Sequence, residues 1–217
     1  MALHREDVIT AALELLDEVG LERLTTRALT ERLGVAPGAL YWHVRSKREL
    51  LAAMADAVVA PVFTTPDSGA DTRGAGAGWA GRTRAFAHRL RGALLERRDG
   101  ARLVSGYLVP GAATLGAVEE GLALMRAEGL ALGQAAVLGH AVTSYVIGFV
   151  LQEQARSAGG DSVGGDGSSG DGGGAVAGFD PARYPNLVQW QAEQDGPDAS
   201  FAAGLALLTA GPAAGLG

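Results

Sequence analysis

The residues able to do chemistry crowd into one short stretch. Between Arg23 and Arg48 stand Arg23, Arg27, Arg32, Arg45, Lys47 and Arg48 against Glu31 alone, five net positive charges in a chain whose formal charge is −6. A basic patch on an acidic protein is the electrostatic footprint of a phosphate-binding face. Tyr41, Trp42 and His43 follow one another inside it. Consecutive helical residues are about 100° apart, so at least one of these hydrogen-bonding aromatics must face outward. Such donors can reach phosphates and thymine methyls on double-stranded DNA.

Catalysis finds less support. The 217 residues contain no cysteine, which removes thiol nucleophiles, disulfides and thiolate metal sites. His88 lies among arginines, and His140 has no carboxylate at i±3 or i±4. Neither belongs to a nucleophile–base or metal-ligand pattern, so the reading is a non-enzyme with no cofactor and no metal.

The stretch reads as a helix-turn-helix. Thr25 or Thr26 caps a helix, and Ala28, Leu29 and Leu33 have the spacing of one apolar face. Gly34 suits a left-handed C-terminal position, Val35 and Ala36 make the turn, and Pro37 opens a second helix. That helix is expected over Gly38–Val44, with Leu40 and Val44 inward. Ser46-Lys47-Arg48-Glu49 is a capping box for a third, expected to run from Lys47 until Pro61 stops it at Ala60. Upstream, Val8, Ile9, Ala12, Leu13, Leu16 and Val19 form the stripe of a helix over Arg5–Val19, closed by Gly20.

Beyond Gly78 the chain reads as helices over Trp79–Arg98, Ala101–Gly106, Leu115–Glu128, Leu132–Ser157, Tyr184–Gln194 and Asp198–Thr209. The arginines at 82, 84, 89, 91, 97 and 98 are read as a solvated face. Thr64–Gly78 has no periodicity and reads as a linker. In Gly159–Gly178 ten of twenty residues are glycine; such a segment cannot bury apolar surface against chain entropy and is expected to be a mobile loop. No strand pattern occurs, so the fold class is all-α. Leu130–Leu151 is apolar but carries Gln134, His140, Thr143 and Ser144, and is read as a bundle helix rather than a membrane span. The N-terminus has no apolar signal segment, so the expected location is cytoplasmic.

The segments ALELLDEVG, LTTRALTERLGV and LYWHVRSKRELL resemble the DNA-binding domain of the TetR family, and of its tetracycline repressors in particular. LLERRDGARLVSG, LGHAVTSYVIGFVLQEQ and FAAGLALL resemble that subgroup's C-terminal domain. The resemblance implies a helix-turn-helix domain over 1–46, a linking helix over 47–63 and a ligand-binding and dimerisation domain over 79–217. It implies a homodimer through a four-helix bundle, for which the small residues Ala141, Ser144, Gly148, Ala202, Gly204 and Ala206 are suited. Two heads would then meet successive major grooves of a pseudo-palindromic operator about 34–36 Å apart.

On the DNA side the resemblance carries contacts to Thr26, Arg27, Tyr41, Trp42, His43 and Lys47. The family's base-reading positions are Pro37, Gly38 and Ala39 here, which offer only backbone or methyl contact and imply a different operator. On the ligand side it implies a pocket for an inducer whose binding releases the operator. The imidazole that holds magnesium in the tetracycline repressors is replaced by Val104, the histidine near the end of the linking helix by Phe63, and the water-orienting glutamate by Gln152. Magnesium needs oxygen or imidazole ligands, so the expected guest is a flat hydrophobic molecule, such as a polyketide or aromatic drug. Its expected lining is Phe63, Phe86, Leu90, Val104, Tyr107, Leu122, Met125, Tyr145, Phe149 and Gln152.

Overall fold

A computed structural model describes residues 3–64, 78–160, 180–193 and 196–210. Every regular element among them is a helix, as expected. The glycine-rich segment from 161 onward and most of the 64–78 linker lie outside the described residues; Gly159 and Gly160 complete a helix.

The first three helices are set by local signals. α1 (Arg5–Val19) buries Val8, Ala12, Leu13 and Leu16, and also Leu15. It ends at Gly20, whose φ of 77° is in a region that only glycine adopts without strain. α2 (Thr26–Leu33) is capped by Thr25 rather than Thr26: the Thr25 hydroxyl accepts from Ala28 N–H at 3.1 Å. Gly34 closes it in the left-handed conformation, φ 66° and ψ 30°. α3 is shorter than expected, Pro37–Tyr41. The N–H groups of His43 and Val44 both donate to the Leu40 carbonyl at 3.0 Å, so the chain turns there instead of continuing the helix. Leu40 and Val44 are buried and hold the turn to the core.

α4 (Lys47–Thr64) runs through Pro61 instead of stopping at Ala60. Proline removes one backbone donor, and the helix end would fray in isolation. Here Val58, Val59 and Val62, exposed by 6% or less, pack into the body on both sides of the proline and hold the last turn. α4 lies between α1 and the helices of the body and buries Leu50, Leu51, Met54, Ala55, Val58 and Val59, with Ala57 half-buried.

The body consists of α5 (Trp79–Leu95), α6 (Gly100–Tyr107), α7 (Ala112–Ala127), α8 (Leu132–Gly160), α9 (Pro185–Ala192) and α10 (Pro197–Thr209). α8 is long and apolar enough to cross a membrane, but it packs on α5, α6, α7 and α10 through Ala135, Val142, Val146 and Val150. α10 inserts Phe201 and Leu205, both fully buried, against α5 and α8. Phe201 stacks on Tyr145 and meets Phe149 edge-on at 5.1 Å.

The arginines of α5 and the corner after it are a solvated face only in part: Arg84 and Arg98 are exposed, whereas Arg82, Arg89, Arg91 and Arg97 are half-buried or more. Arg91 is 12% exposed and forms two parallel bonds to Glu153, at 2.9 and 2.6 Å, and a third to Asp198 at 2.7 Å. The pairing with Glu153, reinforced by Asp198, holds its pKa far above the ordinary arginine value. Arg82 pairs with Glu128, and Arg97 with Asp17. Gly204 also departs from expectation. A side chain there would collide with the Tyr145 hydroxyl of the same chain, so this glycine serves the fold of one protomer.

Candidate nucleic-acid interface and ligand cavity

The basic face is built on α2, α3 and the start of α4. Trp42 is 90% exposed and Tyr41 is 55% exposed, so two of the three consecutive aromatics project from the surface while Leu40 and Val44 anchor the backbone beneath them. His43 is half-buried and its carbonyl accepts from Arg5 at 3.3 Å. Pro37, Gly38 and Lys47 are exposed, and Thr26 and Ala39 half-buried, on the same part of the molecule.

The six basic residues of the patch do different work. Arg32 turns back to Glu14 and Glu18 on α1, at 2.9 and 2.8 Å, and is structural. Arg23 donates to the Val19 carbonyl. Arg27, although ion-paired with Glu31 at 2.9 Å, keeps its side chain 88% exposed and can exchange that partner for a phosphate. Arg45, Lys47 and Arg48 are exposed.

The join between α3 and α4 is fixed by Glu49. Glu49 N–H donates to the Ser46 hydroxyl at 3.1 Å, as a capping box requires. The Glu49 carboxylate takes the Arg45 N–H at 2.9 Å instead of that of Ser46, and pairs with Arg5 at 3.2 Å. The Arg45 backbone bond, aided by Arg5, holds this carboxyl below the usual range. α1, the α3–α4 turn and α4 are therefore stapled together at the basic end.

At its other side the head is clamped to the α5–α6 corner. Asp99 sits at φ 56°, the left-handed region, and its carboxylate accepts the Leu21 N–H at 2.8 Å. Arg97 and the Arg98 N–H both bind Asp17, and Arg102 reaches Glu22. Gly100 is required beside Asp99 because a Cβ would strike the Leu94 carbonyl. We expect Asp99→Ala to lower stability by about 1–3 kcal/mol, since it orphans the Leu21 N–H and leaves the backbone strain in place. Asp99→Gly, which relieves that strain, should lose less. Urea denaturation of the two variants checks the order.

A cavity of about 570 Å³ opens between α4, α5, α7 and α8. Phe63 and Phe86, with ring centroids 5.6 Å apart, lie on its wall with Val62, Leu122 and Met125. The other expected lining residues lie elsewhere. Leu90 and Val104, each 3% exposed, are core of the α4–α5–α6 contact. Tyr107 packs against the core. Tyr145 and Phe149 belong to the Phe201 cluster, and Gln152 is exposed on α8. In their place the wall carries Trp79, Arg82, Thr83, Arg89, Glu120, His140 and Thr143. The recurrence of Trp79, Thr83 and Phe86 along one face of α5 is the signal in the sequence for this wall, and reading the α5 arginines as solvated hides it.

At the position expected to lack the imidazole, Val104 is buried away from this cavity, and the imidazole and carboxylate on the cavity wall are those of His140 and Glu120.

Comparison with known proteins places these features in a family. Residues 8–54 match the family of bacterial regulatory proteins, tetR family, and residues 72–215 match the tetracyclin repressor-like C-terminal domain. The chain is 38% identical over 211 residues to the tetracycline repressor protein class C of Escherichia coli, covering 96% of this chain and 90% of that one. It is similar to a single-residue variant of TetR from Acinetobacter baumannii AYE in complex with minocycline, with 36% identity, a TM-score of 0.71 and 96% of each chain covered. A possible TetR family transcriptional regulator from Streptomyces coelicolor A3(2) superposes with a TM-score of 0.76 at 33% identity, covering 95% of this chain and 97% of that one. With an exposed aromatic and basic helix-turn-helix face at one end and a helical body at the other, the chain belongs to the TetR family of bacterial transcriptional regulators.

Proposed function

We propose that the protein is a homodimeric, cytoplasmic repressor that occupies a double-stranded DNA operator and leaves it when a small, largely apolar inducer enters the α4–α5–α7–α8 cavity. The observation that carries this reading is the span of α4. Its last turns place Val62 and Phe63 on the cavity wall, while its first turn is stapled through Glu49 and Ser46 to the α3–α4 turn. A ligand that displaces the end of α4 thereby moves the DNA-reading face. To take the operator from nearly full to nearly empty, it must favour the released arrangement by about 5.5 kcal/mol.

Residues 1–46 then act as the reading head, 47–63 as the lever and 79–217 as the sensor. Thr26, Arg27, Pro37, Gly38, Ala39, Tyr41, Trp42, His43 and Lys47 form the operator face. A second copy of the chain is supported by the outward faces of α8 and α10, where Val137 is 65% exposed and Leu207 is 82% exposed; apolar surface of this kind marks an interface. A second reading, control by a protein partner without a small molecule, draws on α9, whose Leu187, Val188 and Trp190 are all exposed.

The test is a gel shift of the full chain on its own upstream DNA, at stated salt because phosphate contacts make affinity salt-dependent. Aromatic polyketides are expected to release the DNA, whereas tetracycline with magnesium is not. Release by tetracycline only when magnesium is present overturns the reading of Val104. Binding that no compound relieves favours the partner-controlled reading.

A further inference from the structure

Thr83 differs from Thr30, Thr143 and Thr209. A buried helical threonine ordinarily returns its hydroxyl to a carbonyl of the preceding turn. Thr143 does so to Gly139 at 2.9 Å, Thr209 to Leu205 at 2.7 Å and Thr30 to Arg27 at 2.8 Å. The Thr83 hydroxyl has no hydrogen-bond partner among the described residues, although the residue is only 5% exposed. It lies on the wall of the ligand cavity, one turn before Phe86 on the same face of α5. A buried hydroxyl left unsatisfied destabilises the empty protein and is a ready partner for a guest.

The charges around it select the guest. Among the described residues the wall carries the guanidinium groups of Arg82 and Arg89 and the carboxylate of Glu120, with the imidazole of His140 as a further polar group. Arg82 is shared with Glu128 beyond the cavity. Apart from Thr83 and Thr143, the rest of the lining is apolar or aromatic. A cavity of this kind takes an apolar body and fixes its orientation through a few polar groups.

We propose that the inducer is an amphiphilic acid: an aromatic body seated against Phe63, Phe86 and Met125, with an acidic oxygen, a carboxylate or a phenolate, that accepts from the Thr83 hydroxyl beside Arg89. This deepens the reading of the cavity as the inducer site and rests on it.

The experiment is calorimetric titration of the full-length protein with anthraquinone-2-carboxylate and with its uncharged methyl ester. The carboxylate is expected to bind about tenfold more tightly, the ordinary size of a charge-assisted hydrogen bond. Thr83→Val and Arg89→Met should each bring the two probes to within about threefold of one another. Thr83→Val, which removes an unsatisfied hydroxyl, should also leave the unfolding midpoint of the ligand-free protein unchanged or raised. If Arg89→Met fails to fold, Thr83→Val alone decides. Equal affinity for acid and ester in the parent protein overturns the inference, yet leaves the repressor reading standing if either compound releases the operator. Binding of neither probe also overturns it, and the gel-shift panel then judges the repressor reading separately. A preference for the acid that survives Thr83→Val removes Thr83 from the site and overturns the proposal as stated.

Discussion

Arg91→Met is expected to lower the stability of the folded protein by about 3–5 kcal/mol, the cost of leaving a buried charge without its partner. The guanidinium lies 4.8 Å from the Phe201 ring centroid and joins three helices: its own α5, α8 through Glu153 and α10 through Asp198. Glu153 is as buried as Arg91, at 12%, so removing the arginine strands a carboxylate. Asp198 is 88% exposed and returns to water at little cost. Hence the double variant Arg91→Met, Glu153→Leu should recover most of the loss, because an apolar pair replaces an ionic pair of similar volume. Urea denaturation at one fixed protein concentration checks this, since an oligomer's stability depends on concentration. A loss below about 1 kcal/mol for the single variant would show that water reaches Glu153 freely.

Trp42→Ala is expected to weaken operator binding by about a hundredfold or more while leaving the unfolding midpoint unchanged. The side chain is 90% exposed, so its removal costs the core nothing. A base-edge contact is worth about 1–3 kcal/mol, and a dimer makes each contact twice. Lys47→Ala should behave differently. Its loss should fall evenly on all DNA sequences and reduce the slope of affinity against salt by about two, one phosphate per protomer. Quantitative gel shifts over a series of salt concentrations separate the two behaviours. If Trp42→Ala binds the operator with parent affinity, the exposed indole is not part of the reading face.

The reading head is legible residue by residue because its determinants are local. A threonine hydroxyl before a helix, a glycine after it and a proline at the next first turn act within four residues, and each appears where its chemistry demands. Spacing alone turns Leu40 and Val44 inward, and both are buried. The two departures in this region differ in kind. α3 ends early because the Leu40 carbonyl takes two donors, and α4 continues past Pro61 because Val58, Val59 and Val62 are held by the body. The first is a local tightening of the last turn, and the second is decided by packing, which spacing does not report.

The cavity is legible only in part. Phe63, Phe86, Leu122 and Met125 reach its wall, whereas Leu90, Val104, Tyr107, Tyr145 and Phe149 share their apolar character and do not. An apolar side chain at helical spacing is equally suited to filling space or bordering it. Only the way α4, α5, α7 and α8 pack together opens a gap along the Thr83–Phe86 face of α5. The same holds for charge. By itself the sequence determined an all-helical chain with a capped, basic, aromatic head, because those features follow from backbone geometry and charge along a few turns. The tertiary structure alone decided which arginines are buried clamps, that Gly204 serves Tyr145, and that Thr83 faces a cavity with its hydroxyl unmet, because each depends on what a distant helix brings, or fails to bring, within hydrogen-bonding reach.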